Sequence, residues 1–571
     1  MNPEGRMKVL VLGDEPRVAA RDESGSCTVV LYGSPAIGSR TAFDSGELDQ
    51  FASNPVQAVR QLDGEFGVFI ETADRIVIAS DRFASHPVFY LVEDSNLVIS
   101  FSYSKIWRWL SDNNLLKVDP LAFYEFLHFQ RLFGTTTFDQ SSSTLPPATV
   151  LTFDKATGEL KLERYWSPDF SKRHDGRKAI ARDLADAVQS SVAQKTADAT
   201  NVSLLLSGGM DSRVILGGFG NDNLPLCLTV GDSENNEVDV ARSLAGLVGA
   251  KHAFVPRTPT HYANILPEST ATGGGMYLFQ HGHFFGLDIP ATDLVLHGHG
   301  FDYMFQGMYL PSRRKRFLGR PTRSWALDPI GFDLVGQYID EAKYRLKGID
   351  PTSLLKPGLA TDANERLRTD LEAVLKPVQG ETAEAFDEWD YLTTSAPGRH
   401  YTYLNLLSAA SLAEQRTVAF DNDTFDIYYS TPANVRHGTM LLAETIKNLN
   451  PQLLEVRNAN TNLRPDLSPL KLTIGGWTRS ARRRIGLGGA KAADPSQDDR
   501  SWLTGDSLLR GSEPLQGRIN GLGHSARLEG LGIFDLSQVG NALDAFRSGN
   551  KSVAPALLTL LTIDTFLGGS G

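Results

Sequence analysis

Over the first 165 or so residues the apolar positions come in short runs set between turn residues: "MKVLVLG", "CTVVLYG", "GEFGVFIE", "RIVIASD", "PVFYLVE" and "NLVISFS". Runs of this length and spacing predict an antiparallel, β-rich domain. The segment "VDPLAFYEFLHFQRLFG" (Val118 to Gly134) breaks the pattern. Its aspartate, its early proline and apolar residues at helical spacing predict a capped helix lying on a core. After the proline-marked strand "TLPPATVLTFD", the stretch Tyr165 to Gln194 ends in a long amphipathic helix. The boundary is therefore placed there, giving a domain over 1–165 and a second over 166–571.

From Val202 the period changes. The runs "VSLLLS", "LPLCLTVG", "HAFVP" and "TDLVLHG" alternate with helical segments such as "NEVDVARSLAGLVG". Strand and helix in alternation predict a parallel sheet with crossover helices, whose ligands sit at the carboxyl ends of the strands. Beyond about Pro311 the pattern becomes largely helical. The glycine-rich, basic and then acidic stretch Gly475 to Asp499 is read as a mobile surface loop. The fold class is thus α/β: a β-rich domain, then a parallel-sheet domain with a helical C-terminal part.

Composition narrows the function. With 571 residues the chain exceeds what one core supports. A net charge of −11 argues against a nucleic-acid partner, whose binding domain is usually strongly basic. Two cysteines, Cys27 and Cys227, are too few for a disulfide framework. No secretion signal and no apolar run of about 18 residues is read in the pattern, so the expectation is a cytoplasmic protein without a membrane partner.

The most informative stretch is "VSLLLSGGMDSRVILGG" (Val202 to Gly218). A strand feeding two glycines and a helix start places backbone N–H groups and the positive helix end around an anion. The lysine of the common nucleotide loop is missing; Asp211 occupies the turn, and an acid beside phosphates implies a bound magnesium.

"SGGMDS" (Ser207 to Ser212) resembles the pyrophosphate loop of ATP pyrophosphatases, and the chain resembles the asparagine synthetase branch of that superfamily. The stretches "LDGEFGVFIE", "IASDRFASHPVFYL" and "TLPPATVLTFD" are similar to its glutaminase-like (Ntn-type) domain. "LTVGDSENNEVDVARSLAGLVGAKH", "LHGHGFDYMFQG" and "AEQRTVAFDND" are similar to later segments of its synthetase domain, the last as a helix-to-loop segment. The resemblance implies ATP and Mg2+ as cofactors and a carbon–nitrogen ligase that forms an acyl-adenylate, then an amide, releasing pyrophosphate and AMP. Ser207, Gly208, Gly209, Asp211 and Ser212 would bind the pyrophosphate portion. Asp211 and Asp302 would hold magnesium, and Leu205, Val230 and Gly298 would lie against the adenosine.

The chain also departs from that pattern. The family's glutaminase nucleophile is an N-terminal cysteine, whereas residue 2 is Asn2 and Cys27 is internal. Counterparts of the segments "RGPD" and "NGEIYN" are absent, so the first domain is expected to be a degenerate glutaminase. His299 and Tyr303 stand where asparagine synthetases commonly carry acids; β-lactam synthetases place a tyrosine at the first of these positions, and it acts there on the attacking amine. His299 is therefore the candidate base, an imidazole taken to titrate near its ordinary pKa of about 6.5. An alignment anchored on Glu414, Arg416 and Asp421 puts Leu406 where many members have a lysine, so Arg399 or Arg416 is expected to supply that charge. Glu414 and Arg416 join His299 as catalytic candidates.

The substrate is read as a small-molecule or peptide carboxylate, amidated by ammonia or a substrate amine and not by glutamine. Lasso-peptide cyclisation, amidation of a sugar carboxylate and a silent nucleotide-binding role stay open, as does a homodimer. His281 and His283 are read as polar loop residues, not a metal pair, and Trp107 and Trp109 as packing the first domain's core.

Overall fold

The computed structural model describes residues 9–569 except 13–17, 25–26, 39, 95, 221–222, 318–319, 468–470 and 472–501. Asn2 and the expected loop Gly475 to Asp499 lie outside the described residues.

The early strands form two sheets. Six antiparallel strands run in the order Leu160–Arg164, Thr149–Asp154, Arg75–Ser80, Phe66–Glu71, Cys27–Gly33, Val18–Ser24. A second sheet has the order Val9–Leu12, Asn96–Ser100, Phe89–Glu93, Ser143–Thr144. Side-chain alternation builds both interfaces of the larger sheet. On Arg75–Ser80, Ile76 and Ile78 pack with Leu97 and Ile99 of the second sheet, while Val77 and Ala79 pack with Leu48, Phe51 and Val59 of the helices Ser45–Ser53 and Pro55–Val59.

The parallel sheet has five strands, in the order His252–Pro256, Leu226–Gly231, Val202–Leu205, Leu294–His297, Glu414–Thr417. The last corrects the sequence reading. Residues 414–417, expected at a helix end, instead pair with Leu294–His297 as a fifth strand. The region after Pro311 also differs, opening with an antiparallel hairpin, Ser312–Phe317 and Arg320–Leu327, before the helices begin.

The two halves share a core. Helices Tyr103–Asp112 and Pro120–Phe129 pack on the outer face of the four-stranded sheet and on the last helix, Ala554–Gly569. The Trp107 ring lies 5.2 Å from Phe566 and 6.4 Å from Phe123, so it joins this shared core. The helix over Lys551–Gly569 is long and apolar enough by mean hydropathy to cross a membrane, although Thr and Asp interrupt its apolar run, and 61% of its apolar window is buried inside the protein. The halves are also tied by polar contacts. Asn422 N donates to Asp63 Oδ1 at 2.7 Å, and Glu65 accepts from Thr417 N at 2.6 Å and Thr417 Oγ1 at 2.9 Å.

Candidate active site

Strand Val202–Leu205, paired on both sides, delivers Ser207–Ser212 to the carboxyl edge of the parallel sheet. The Ser207 and Ser212 hydroxyls are 3.0 Å apart, and they accept from the loop's own amides, Ser207 N and Gly209 N. These are the donors that anionic oxygens would take over. Asp211 opens helix Asp211–Gly218 directly behind them.

Glycine is required where the loop is clamped. A Cβ at Gly208 would lie 2.3 Å from Ala459 Cβ, and one at Gly298 would lie 2.4 Å from Ser212 N. The strap beyond residue 450 is held by Arg213, a fully buried side chain that donates to the carbonyls of Leu453, Val456 and Arg457 and reaches Gly208 O. Burial lowers its pKa to about 10, which leaves it charged near pH 7.

Gly300, at φ +102°, turns the chain after Leu294–His297 into the short helix Phe301–Phe305, which carries Asp302. Asp211 and Asp302 are both half-buried and repel each other. Burial, reinforced by Asp302, holds the Asp211 carboxyl well above its usual range, and burial pushes Asp302 up to about 6. Gln306 Nε2 donates to Asp211 Oδ1 at 2.7 Å. Two adjacent carboxylates with a neutral amide are hard oxygen donors that suit magnesium completed by phosphate and water. Among the described residues no group of three or more His, Cys, Asp or Glu is placed to hold a metal ion by itself. A cleft of about 470 Å³ reaches Asp302 and Gln306 from outside, past Lys315, Trp325, Lys343 and His437.

Next to the loop lies a cluster of rings drawn from distant segments. The His299 ring is 5.6 Å from Tyr303 and 6.0 Å from His400, and His400 is 4.5 Å from Tyr303 and 4.1 Å from Tyr401. Thr402 Oγ1 bridges His299 Nε2 at 3.4 Å and His400 Nδ1 at 2.7 Å. His400 Nε2 and the Tyr303 and Tyr401 hydroxyls are buried without a hydrogen-bond partner, an arrangement suited to a polar guest. Burial, then nearby His281, lowers the His299 pKa to about 3, so the expected value near 6.5 is corrected. The ring is neutral because charging it would desolvate the ion.

Leu205 and Val230 share an apolar patch with Leu228, Val255, Phe284 and Ala409 on one sheet face, while Gly298 lies under the loop Ser207–Ser212. Arg416 and Glu414 are not brought to the site. Arg416 pairs with Asp198 at 2.6 Å and with Glu414 at 2.7 Å. Strand alternation explains this: Thr417 faces His297, at 3.4 Å, and Arg416 must face the other way. Arg399 also points elsewhere, donating to Thr136 O and approaching Met276 Sδ at 3.3 Å. The sequence reading missed Arg213, Gln306, His281 and His400. Gln306 follows Asp302 at a helical i+4 spacing and was within reach; His400 carried no local signal.

Residues 183–437 match the family described as asparagine synthase. The chain is similar to asparagine synthetase [glutamine-hydrolyzing] 1 of Bacillus subtilis (strain 168), 23% identical over 217 residues, 37% of this chain and 34% of that protein. It is also similar to carboxyethyl-arginine beta-lactam-synthase of Streptomyces clavuligerus, 24% identical over 266 residues, 45% of this chain and 49% of that protein. The chain thus spans about a third and about half of the length of these relatives. The solved structure of the allosteric regulatory enzyme of purine biosynthesis matches at 9% identity and a TM-score of 0.19, covering 42% of this chain and 62% of that one, too slight a likeness to bear on the fold.

Proposed function

Since residues 183–437 match the asparagine synthase family, we propose that this chain joins a carboxylate to an amine in two steps, through an acyl-adenylate. The observation that carries this reading is the half-buried, mutually repelling pair Asp211 and Asp302, set against the hydroxyl-lined turn Ser207–Ser212 at the carboxyl edge of a parallel sheet. A substrate carboxylate oxygen attacks the α-phosphorus of ATP; the α–β bridging bond breaks and its electron pair leaves with pyrophosphate. Ser207, Gly208, Gly209 and Ser212 hold the departing phosphates, and the base rests on the patch of Leu205 and Val230. Asp211 and Asp302 would hold Mg2+, which supplies neutralisation of phosphate charge when bound.

In the second step the amine adds to the acyl carbon and AMP leaves. His299 accepts the proton shed by the amine, and Thr402 and His400 line up behind it. A pKa of about 3 makes it a weak base, but attack on the acyl carbon acidifies the nitrogen whose proton it takes. Ammonia or a substrate amine is the proposed donor. Neither cysteine suits glutamine hydrolysis: burial and nearby Asp49 and Asp22 raise the Cys27 thiol, and burial pushes Cys227 up to about 12.

Incubation with Mg2+, ATP labelled at the α-phosphate and candidate acids and amines tests the reading. Labelled AMP with stoichiometric pyrophosphate is expected; labelled ADP would overturn it.

A further inference from the structure

The hairpin Ser312–Phe317 and Arg320–Leu327 stands apart from the rest of the chain in charge. Residues 312–327 hold six Arg and Lys and no Asp or Glu, in a protein of net charge −11. Arg313, Arg314, Lys315 and Arg316 are all exposed. Arg314 lies opposite Trp325 in the ladder and stacks on its ring at 5.2 Å; Lys343 approaches the same ring at 5.9 Å. Trp325 is nonetheless 46% exposed. Lys315, Trp325 and Lys343 line the cleft that ends at Asp302 and Gln306. Burial, then Lys343, Arg436 and Lys315, lowers the His437 pKa to about 4 on the wall of the same cleft.

We propose that this hairpin is the docking arm for an acidic peptide, which it feeds toward the cleft at Asp302. This deepens the ligase reading and rests on it, since the peptide's carboxylate would be the acyl donor. Two features favour a peptide over other polyanions. The hairpin is a two-stranded sheet whose outer edges are unpaired among the described residues, so an extended chain can add as a third strand through main-chain hydrogen bonds. Alternate side chains of that strand would then meet the cationic row and the exposed indole, a pairing of charge with apolar contact that a phosphate ester does not need.

The test uses the full chain and a fluorescein-labelled peptide of alternating Glu and Thr, as long as one hairpin strand, followed by anisotropy without ATP. Binding is expected, weakening as salt is raised, with the tryptophan emission shifted; the Gln-for-Glu peptide should not bind. The double variant Arg314→Glu, Arg316→Glu should bind about tenfold or more weakly with an unchanged melting temperature. A backbone N-methylated peptide should also fail. Equal binding of the N-methylated peptide, or tighter binding of heparin fragments or poly(U), would overturn strand addition in favour of a general polyanion surface. Competition by inorganic pyrophosphate would overturn it in favour of a phosphate channel. The two readings fail separately: peptide binding without pyrophosphate release sinks the ligase reading alone, and pyrophosphate release without peptide binding sinks the arm alone.

Discussion

The loop Ser207–Ser212 and the ring cluster around His299 sit side by side at one sheet edge and are built in opposite ways. Ser207–Ser212 is organised within six residues by backbone amides, two hydroxyls and one acid, with a second acid from Phe301–Phe305. The ring cluster takes His299, His400, Tyr303 and Tyr401 from separate segments, buries the last three, half-buries His299 and keeps both imidazoles neutral. One half concentrates charge and the other excludes it. In the proposed reaction the adenylation step would develop charge on a leaving pyrophosphate, whereas aminolysis would need a neutral amine and a neutral acceptor, so that proposal gives one step to each half.

The largest effect should come from breaking the charged half. Asp211→Asn is expected to cut pyrophosphate release by about three powers of ten or more, because a charge aimed at the transition state is lost. Its melting temperature should not fall, since repulsion with Asp302 is relieved. Calorimetry beside a pyrophosphate assay checks both. Arg213→Met should cost about 4 kcal/mol in denaturant unfolding and loosen ATP binding, as the carbonyls of Leu453, Val456 and Arg457 lose their donor.

Arg416→Met sharpens the comparison by lying outside both halves. Its pairs with Asp198 and Glu414 predict a loss of about 2 kcal/mol in stability with adenylation unchanged per folded molecule. Loss of adenylation at full stability would return Arg416 to the site. The smallest effect concerns Glu65, which burial raises to about 7 against the pull of Lys195 and Thr417. Between its ordinary carboxylate range and about pH 7 the folded chain holds a proton that the unfolded chain has released, so this group's contribution to stability falls as pH rises through that window. Melting of wild type against Glu65→Gln across that range should show the difference growing by about 1–2 kcal/mol in favour of the variant; a flat difference would remove the shift.

The same contrast explains what could be read from the sequence. The loop was legible because its chemistry is contiguous: strand, two glycines, Asp211 and a helix start need no knowledge of distant contacts. Strands from Val202 to His297 were equally visible in their apolar runs. Glu414–Thr417 was not, since four polar residues become a strand only through pairing with Leu294–His297, and Arg416 was misplaced with it. His281 passed for a loop residue because its relation to His299 depends on tertiary packing alone. Trp107 was correctly seen as packing, but its partner, Phe566, lies at the far end of the chain.

The division of labour is tested most directly by His299→Ala, measured in two assays on one preparation. Exchange of labelled pyrophosphate into ATP, dependent on the acid substrate, should stay near the wild-type rate, while amide formation slows by roughly two to four powers of ten. Parallel loss of exchange and amide formation would contradict the assignment of the two steps to two halves of the site.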